Sequence, residues 1–259
     1  MSKPNRLFTS YKAPWCAGYP VVDPGRTDTQ KPITLILPYY ENPVFLNDQL
    51  KHLATLSAGN LSVIVVDDGS PKYPAKDTYG NGINSTPWLR IFRIEQDIRW
   101  NWLAARNIGV KEAQTEWILL TDMDHVLPLP TFISCVWGNH DPKVVYGFSR
   151  EEHTGQKLAP HPNSWFLTKE LFWQIGGYDE SFSGYYGTDG EWRRRILQYA
   201  PIHILTDKLV RHEYQQDSST THYKRKQPQD VAVSRIIKAR KPGWKPKVLS
   251  FPYTEVTHG

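Results

Sequence analysis

Leu61-Ser62-Val63-Ile64-Val65-Val66 is apolar at five of six positions. A strand of that composition cannot have a wet face. Alternating apolar and polar residues mark a sheet with one side in water, whereas near-continuous runs belong to parallel strands covered by helices on both sides. Ile33-Thr34-Leu35-Ile36-Leu37, stopped by Pro38, and Trp117-Ile118-Leu119-Leu120 read the same way. Between the first two runs, Asn42-Pro43 opens a helix, since proline suits the first helical position. Leu46, Leu50 and Leu53 give that helix a buried stripe at i, i+4, i+7. A short strand, Arg90–Ile94, and a helix carrying Leu103, Ala104, Ile108, Val110 and Ala113 precede the Trp117 run. Strand, helix, strand, short strand, helix, strand is the order of a nucleotide-binding βαβ half. The fold class is α/β, a Rossmann-like and mostly parallel sheet flanked by helices.

Two of these strands end in carboxylates. Thr121-Asp122-Met123-Asp124-His125 follows the Trp117 run directly. Residues i and i+2 of an extended chain project to the same side, so Asp122 and Asp124 can present oxygens to one hard cation, and a cation there can grip a diphosphate. In isolation such a pair only terminates a strand, as aspartate commonly does. Asp67-Asp68-Gly69-Ser70 closes the Leu61 run. A carboxylate at that place accepts hydrogen bonds from a base N–H or a ribose hydroxyl, or else belongs to a plain Asp-Gly turn. Ligands of open sheets bind beyond the carboxyl ends of the strands. Pro38-Tyr39-Tyr40, Asp67-Asp68 and Asp122-Asp124 all fall there.

Further candidates lie off the strands. Arg106, on the helix before the Trp117 run, can fork onto a donor's base or diphosphate, or pair with Asp67 or Asp122. In the second half, Val144–Phe148 reads as a strand, Thr168 as the N-cap of a helix ending at Gly176-Gly177, and Phe182–Gly187 as an aromatic turn. Thr188-Asp189-Gly190-Glu191 then matches a helix capping box. Its Asp189, in the first turn behind Gly184 and Gly187, is alternatively an ionised general base toward an acceptor hydroxyl. His212, in Arg211-His212-Glu213, offers an imidazole suited to Mn²⁺ beside carboxylates, although a single histidine among nine is ordinarily a surface residue.

At 259 residues and 39% hydrophobic content the chain can bury a large α/β core. Cys16 and Cys135 make no disulfide framework, which implies a reducing compartment. No stretch approaches the roughly 20 apolar residues of a membrane span. The sequence starts Met1-Ser2-Lys3-Pro4-Asn5-Arg6, without the apolar centre of a secretory signal. The expected location is the cytoplasm, the host's if the source is viral. From His222 onward nine Lys or Arg face only Asp230 and Glu255, a balance of +7 against +5 for the chain, so the preceding 221 residues sum to −2. Such a basic tail attracts nucleic acid, an anionic surface or a phosphorylated donor, or is a solvated extension.

Taken together, Leu35-Ile36-Leu37-Pro38-Tyr39-Tyr40-Glu41-Asn42, Val65–Ser70, Ala105-Arg106-Asn107-Ile108-Gly109 and Leu119–Asp124 resemble, in order, the family 2 glycosyltransferases of GT-A fold. Ile175–Glu180, Gly184–Asp189 and Val210-Arg211-His212 resemble the second half of β-galactosyltransferase and N-acetylgalactosaminyltransferase catalytic domains. The resemblance covers roughly residues 33–215. It implies an N-terminal arm (1–32), a nucleotide-sugar-binding half (33–128), a smaller acceptor-side catalytic half (129–215) and the basic tail (216–259). It further implies an inverting hexosyl- or pentosyltransferase using a nucleoside-diphosphate sugar, commonly a UDP-sugar, with Mn²⁺ or Mg²⁺, and a glycan or other hydroxyl compound as acceptor. Pro38, Tyr40 and Asp67, with Asp68 beside it, would line the uridine, and Asp122 the ribose or metal. Asp124 and His212 would hold the metal, Asp189 would be the base, and Tyr185 would sit at the acceptor platform. The family's acidic pair at the base is Glu-Asp, whereas here it is Thr188-Asp189. Secreted relatives carry an anchor and disulfides, and this chain shows neither. A DNA-directed enzyme glycosylating a hydroxylated base, and a non-catalytic sugar-nucleotide or glycan-binding module, are the alternatives.

Overall fold

The computed structural model describes residues 19–56, 59–78, 87–98, 100–185, 188–212 and 229–256. Cys16, most of the N-terminal arm, Tyr186, Gly187 and the tail cations Lys224, Arg225 and Lys226 lie outside the described residues. In chain order the elements are β1 (Val21–Val22), β2 (Ile33–Tyr39), α1 (Pro43–Leu56), β3 (Leu61–Asp67), α2 (Ala75–Thr78), β4 (Leu89–Ile94), α3 (Trp102–Glu112), β5 (Trp117–Leu120), β6 (His125–Val126) and α4 (Leu129–Trp137). They continue with β7 (Val145–Glu152), β8 (Lys157–Leu158), β9 (Trp165–Thr168), α5 (Lys169–Ile175), α6 (Asp189–Tyr199), β10 (Ile202–Arg211), α7 (Gln229–Lys238) and β11 (Tyr253–Glu255).

The strands form one mixed sheet in the order β1-β10-β7-β9-β5-β2-β3-β4-β11, with β6 on β10 and β8 on β7. β5, β2, β3 and β4 run parallel to one another, and so do β1, β10 and β7. β9 lies between the two groups, antiparallel to both β5 and β7. Sequence reading places no strand at β9. Its Trp165-Phe166-Leu167 run is too short to separate from the helix that follows, and Thr168 caps that helix by accepting from the Leu171 N–H at 3.1 Å.

The apolar runs are buried on both sides, as their composition requires. Ile33, Leu35 and Leu37 pack with Leu46, Leu50 and Leu53 of α1 and with Cys135 of α4 on one face. Ile36, Ile64 and Val66 pack with Leu103, Ala104 and Ile108 of α3, and with Phe172 and Trp192, on the other. The result is a three-layer α/β/α sandwich. α3 is pressed so close to the sheet that a Cβ on Gly109 would stand 2.4 Å from Ile36 Cγ2.

The basic C-terminal segment is not a free extension where it is described. β11 pairs antiparallel with β4 and closes that edge of the sheet. Leu249, Phe251 and Tyr253 pack against the α3 side of the core. Charge dominated the reading of this segment, whereas its few apolar residues fix it to the fold: Leu249 and Phe251 pack ahead of the strand, and Tyr253 opens it.

Gly109→Ala should therefore destabilise the protein by about 1–3 kcal/mol despite alanine's better helix propensity, because the added methyl overpacks the α3–β2 contact. Chemical denaturation of Gly109→Ala with and without Ile36→Ala should show the two losses to be non-additive, the second opening the space the first needs.

Candidate active site

The carboxyl ends of β2, β3 and β5 meet in a line. β2 and β3 stay in register to the pair Tyr39 and Asp67, and β2 and β5 to the pair Ile36 and Leu120. Past Leu120 the side chains alternate. Thr121, Met123 and His125 turn into the protein, while Asp122 and Asp124 keep about a third of their side-chain surface in solvent. Both aspartates are the more exposed residues of the run, but they flank a turn closed by the His125 N–H to the Asp122 carbonyl at 3.1 Å and do not lie along an extended strand, which ends at Leu120. Gln49 of α1 pins the turn by donating from Nε2 to the carbonyls of Met123 (2.9 Å) and His125 (2.8 Å).

Cations surround both carboxylates. Arg106, with no solvent exposure, donates from Nη2 to Asp122 Oδ1 at 2.5 Å and from Nη1 to the Asn163 carbonyl at 2.6 Å and the Tyr178 hydroxyl at 3.1 Å. Its guanidinium also lies 5.0 Å from the Trp102 ring centre. Burial works against the charge of Arg106, but Tyr178 and Asp122 outweigh it, and its pKa rises. Burial pushes the Tyr178 hydroxyl up to about 12, so it stays neutral. His161 Nε2 stands 3.4 Å from Asp122 Oδ2, and its ring is 4.2 Å from that of His125. Desolvation, then the neighbouring His125, holds His161 well below the ordinary histidine range, and it is neutral at pH 7.

Asp124 Oδ1 pairs with His125 Nδ1 at 2.6 Å, and Oδ2 accepts from Arg211 Nε at 3.3 Å. Burial opposes ionisation of Asp124, but His125, His161 and Arg211 more than offset it and hold its carboxyl below the usual range. The pairing of β6 with the end of β10 brings His212 to this place: its backbone N–H donates to the Asp124 carbonyl at 2.9 Å. Among the described residues no three His, Cys, Asp or Glu side chains are gathered around one point as metal ligands. The side chains of Asp122 and Asp124 turn instead to arginine and histidine.

The two aspartates at the end of β3, Asp67 and Asp68, differ. Asp67 is spent on its own loop: Oδ1 accepts from the Ser70 N–H and Oδ2 from the Ala75 N–H, both at 2.8 Å, with Arg93 at 3.3 Å. Asp68 accepts from the Asn101 N–H at 3.0 Å through Oδ2, while its buried Oδ1 has no partner among the described residues. Desolvation raises the Asp68 carboxyl well above the ordinary value. Tyr40 beside them donates to Asp97 at 3.0 Å, and burial with Asp97 pushes its hydroxyl up to about 12. Pro38 lies half-buried on β2, and Tyr185 packs partly buried against the α3 side of the core.

Asp189 begins α6. The capping box is not formed: Thr188 Oγ1 is buried without a partner among the described residues, and Glu191 pairs with Arg195 at 2.8 Å and Arg240 at 2.8 Å. Asp189 Oδ1 instead accepts from Asn163 Nδ2 at 2.8 Å. A cavity of about 630 Å³ beside α6, walled by Glu191, Arg194, Arg195 and Trp244–Pro246, includes none of Asp68, Arg106, Asp122, Asp124, Asp189 and His212. Arg150 of β7 also joins the site, its Nη1 3.3 Å from His125 Nε2. Asn163, His161 and Arg150 were not singled out from sequence, because each is brought in by tertiary contact from the loop before β9 or from β7. Tyr178 entered only as part of the Ile175–Glu180 motif, with no role of its own.

Comparisons with known proteins bear on the family and the fold. The sequence model of Glycosyl transferase family 2 matches residues 34–194. No curated protein matches the chain. Among solved structures, GalNAc-T7 with UDP, GalNAc and Mn²⁺ superposes at a TM-score of 0.58 and 12% identity, covering 72% of this chain and 45% of the other. TarS 1–349 of S. aureus in complex with UDP-GlcNAc gives 0.59 and 16%, covering 74% and 62%. The mannosyltransferase PcManGT from Pyrobaculum calidifontis with GDP-Man and Mn²⁺ gives 0.54 and 17%, covering 80% and 63%. The chain thus spans between 45% and 63% of the length of these structures, and at such identities the likeness is one of fold.

The raised Asp68 sets a pH test. The native state holds this proton more tightly than the unfolded chain, so ionisation of Asp68 costs stability as pH rises above the unfolded value of 3.8. Asp68→Asn should be the more stable protein at pH 7, by about 1–3 kcal/mol, with the difference closing below about pH 4. Thermal melts of both proteins across pH 3–8 measure it, and parallel curves would show that Asp68 carries no such cost.

Proposed function

The chain belongs to glycosyltransferase family 2 and has the GT-A fold, and from that premise we propose that it is an inverting, divalent-metal-dependent glycosyltransferase. Its donor in this reading is a nucleoside-diphosphate sugar, a UDP-sugar before others, and its acceptor a hydroxyl compound. The observation that carries the proposal is one continuous chain of contacts, Asp122–Arg106–Asn163–Asp189, linking a carboxylate on the donor side to a carboxylate at the start of α6.

Asp122 and Asp124 keep about a third of their side-chain surface in solvent at one lip, and the His212 backbone is tied to Asp124. Two carboxylates and an imidazole are a donor set that suits Mn²⁺, or Mg²⁺ through the oxygens, and these three residues would hold the ion. Bound there, the ion would neutralise charge building on the departing diphosphate as a Lewis acid. Arg106, permanently charged and out of water, would add fixed positive charge on the same side through Asp122. Pro38 and Tyr40 would flank the nucleoside. Asp68, with its unpartnered Oδ1, is better placed than Asp67 to accept a base N–H, since both oxygens of Asp67 are committed to backbone. Tyr185 would form the acceptor platform.

In the transfer step, Asp189 takes the proton of the acceptor hydroxyl as its oxygen attacks the anomeric carbon. The bond from that carbon to the diphosphate oxygen breaks on the opposite face, and its electron pair leaves with the nucleoside diphosphate. A single displacement of this kind inverts the anomeric configuration. Thr188, where the family has an acid, leaves Asp189 as the one carboxylate of the pair.

The test is release of nucleoside diphosphate from UDP-GlcNAc, UDP-GalNAc and GDP-mannose with Mn²⁺. Asp189→Asn should cut turnover by about 10²–10⁴-fold and leave binding of the nucleotide intact by calorimetry. Turnover by Asp189→Asn at the parent rate would remove Asp189 from the role. Asp68→Asn should weaken UDP binding by about 10–100-fold, the loss of a hydrogen bond to a charged group. Chelation by EDTA should abolish release and added Mn²⁺ restore it.

A further inference from the structure

Asn163 has no assigned role, and its surroundings give it one. It lies on the turn before β9, 9% exposed, in a segment fixed on both sides. His161 Nδ1 and Ser164 Oγ are 2.9 Å apart, and Ser164 Oγ meets Thr121 Oγ1 at the end of β5 at 2.8 Å. The Asn163 carbonyl accepts from the buried Arg106 at 2.6 Å, and its Nδ2 donates to Asp189 Oδ1 at 2.8 Å. The amide cannot be turned round, because the flipped form would set its carbonyl against a carboxylate. In the orientation that remains, Oδ1 is buried with no partner among the described residues. A buried acceptor without a donor is a cost that folded proteins avoid, and an apolar residue of similar size would not incur it. What the amide secures in exchange is the grip on Asp189.

We propose that Asn163 is the positioning residue of the transfer reaction, holding the Asp189 carboxylate in line with the acceptor hydroxyl and tying it through Arg106 to the donor-side Asp122. The inference rests on Asp189 being the base. The hydrogen bond engages Oδ1 and leaves Oδ2 as the oxygen that takes the proton. Without it, the carboxylate swings freely on its χ angles at a helix start whose cap, Thr188, makes no side-chain hydrogen bond to the helix. The consequence is a loss of orientation and not of substrate binding. Asn163 acts from the acceptor side of the sheet, while its backbone contact keeps that side in register with the residues that would hold the diphosphate.

Asn163→Leu keeps the volume and removes the donor. Measured with UDP-GlcNAc, UDP-GalNAc and GDP-mannose as probes in the presence of Mn²⁺, it should lower kcat by about 10–100-fold, as removal of groups that orient a functional side chain does. KM for the probe should stay unchanged, and the melting temperature should hold or rise, since the unpartnered carbonyl is gone. A residue with only a structural role would lower the melting temperature and spare kcat. On the Asp189→Asn background, Asn163→Leu should cause no further loss, because the group it orients is already gone. Independent, multiplying losses would overturn the proposal. So would full turnover by Asn163→Leu where Asp189→Asn is inactive, an outcome that leaves the base assignment standing. Full turnover by Asp189→Asn removes the base and this inference together. If leucine does not fold, Asn163→His and Asn163→Ala replace it: histidine, which keeps an N–H toward Asp189, should recover part of the rate that alanine loses. Equal rates in the two would also overturn it.

Discussion

A guanidinium sealed from water must have its charge met by the protein, and Arg106 is such a group. Its fork reaches Asp122 after β5, the carbonyl of Asn163 before β9 and the hydroxyl of Tyr178 after α5, so three segments far apart in sequence are held to one rigid plane. Removing one member of a buried pair leaves the other charge unmet, at a cost of about 3–5 kcal/mol. The arrangement of β5, α3 and β9 is therefore conditional on this side chain. α3 can bring it there because the helix lies almost flush on β2, which Gly109 permits. Asn107, next in sequence, extends the same anchoring by donating to the Tyr178 carbonyl and to Glu180, both at 2.8 Å, and accepting from the Tyr178 N–H at 2.8 Å.

Much of this was legible before any coordinates. Continuous apolar runs suit strands covered by helices on both faces, and β2, β3 and β5 took that place in parallel, whereas the equally apolar β9 entered antiparallel. Strand geometry suggested that Asp122 and Asp124 share a side, yet the strand stops at Leu120 and a turn from Asp122 to His125 is what leaves the two carboxylates exposed. Arg106 was readable as a cation seeking either phosphate or carboxylate, and in the folded chain it has taken Asp122. Other parts were not legible. Asp67 and Asp68 are identical in type and adjacent, and only the loop that follows decides that the first is consumed by Ser70 and Ala75 while the second keeps a bare oxygen. Thr188 and Glu191 have the spacing of a capping box, but Arg195 and Arg240 compete for Glu191 and win with charge. His161 and Asn163 sit in a Pro-flanked loop with no periodicity, and their significance exists only once β9 has delivered them to β5.

The basic segment illustrates a different limit. Among the described residues Arg235, Lys238, Lys241, Lys245 and Lys247 are exposed, whereas the segment's place in the fold is set by Leu249, Phe251 and Tyr253, which pack against the α3 side of the core. Arg240 shows how far the two can mix. It pairs with buried Asp179 and Glu191 at 2.8 Å each and lies 3.4 Å from the Trp244 ring centre. A count of cations cannot tell such a structural arginine from one waiting for a polyanion.

β9 has a consequence for the order of assembly. The strands β2 to β5 complete a parallel group within the first 120 residues, but one flank of β5 then offers unpaired N–H and C=O groups to any passing strand. That flank stays bare until Trp165–Thr168 leaves the ribosome and threads in backwards against it, with β7 on its far side. Until then a nascent chain carries a sticky border at its own centre, and the interval of roughly 45 residues, at about 5–20 residues per second of synthesis, lasts some seconds.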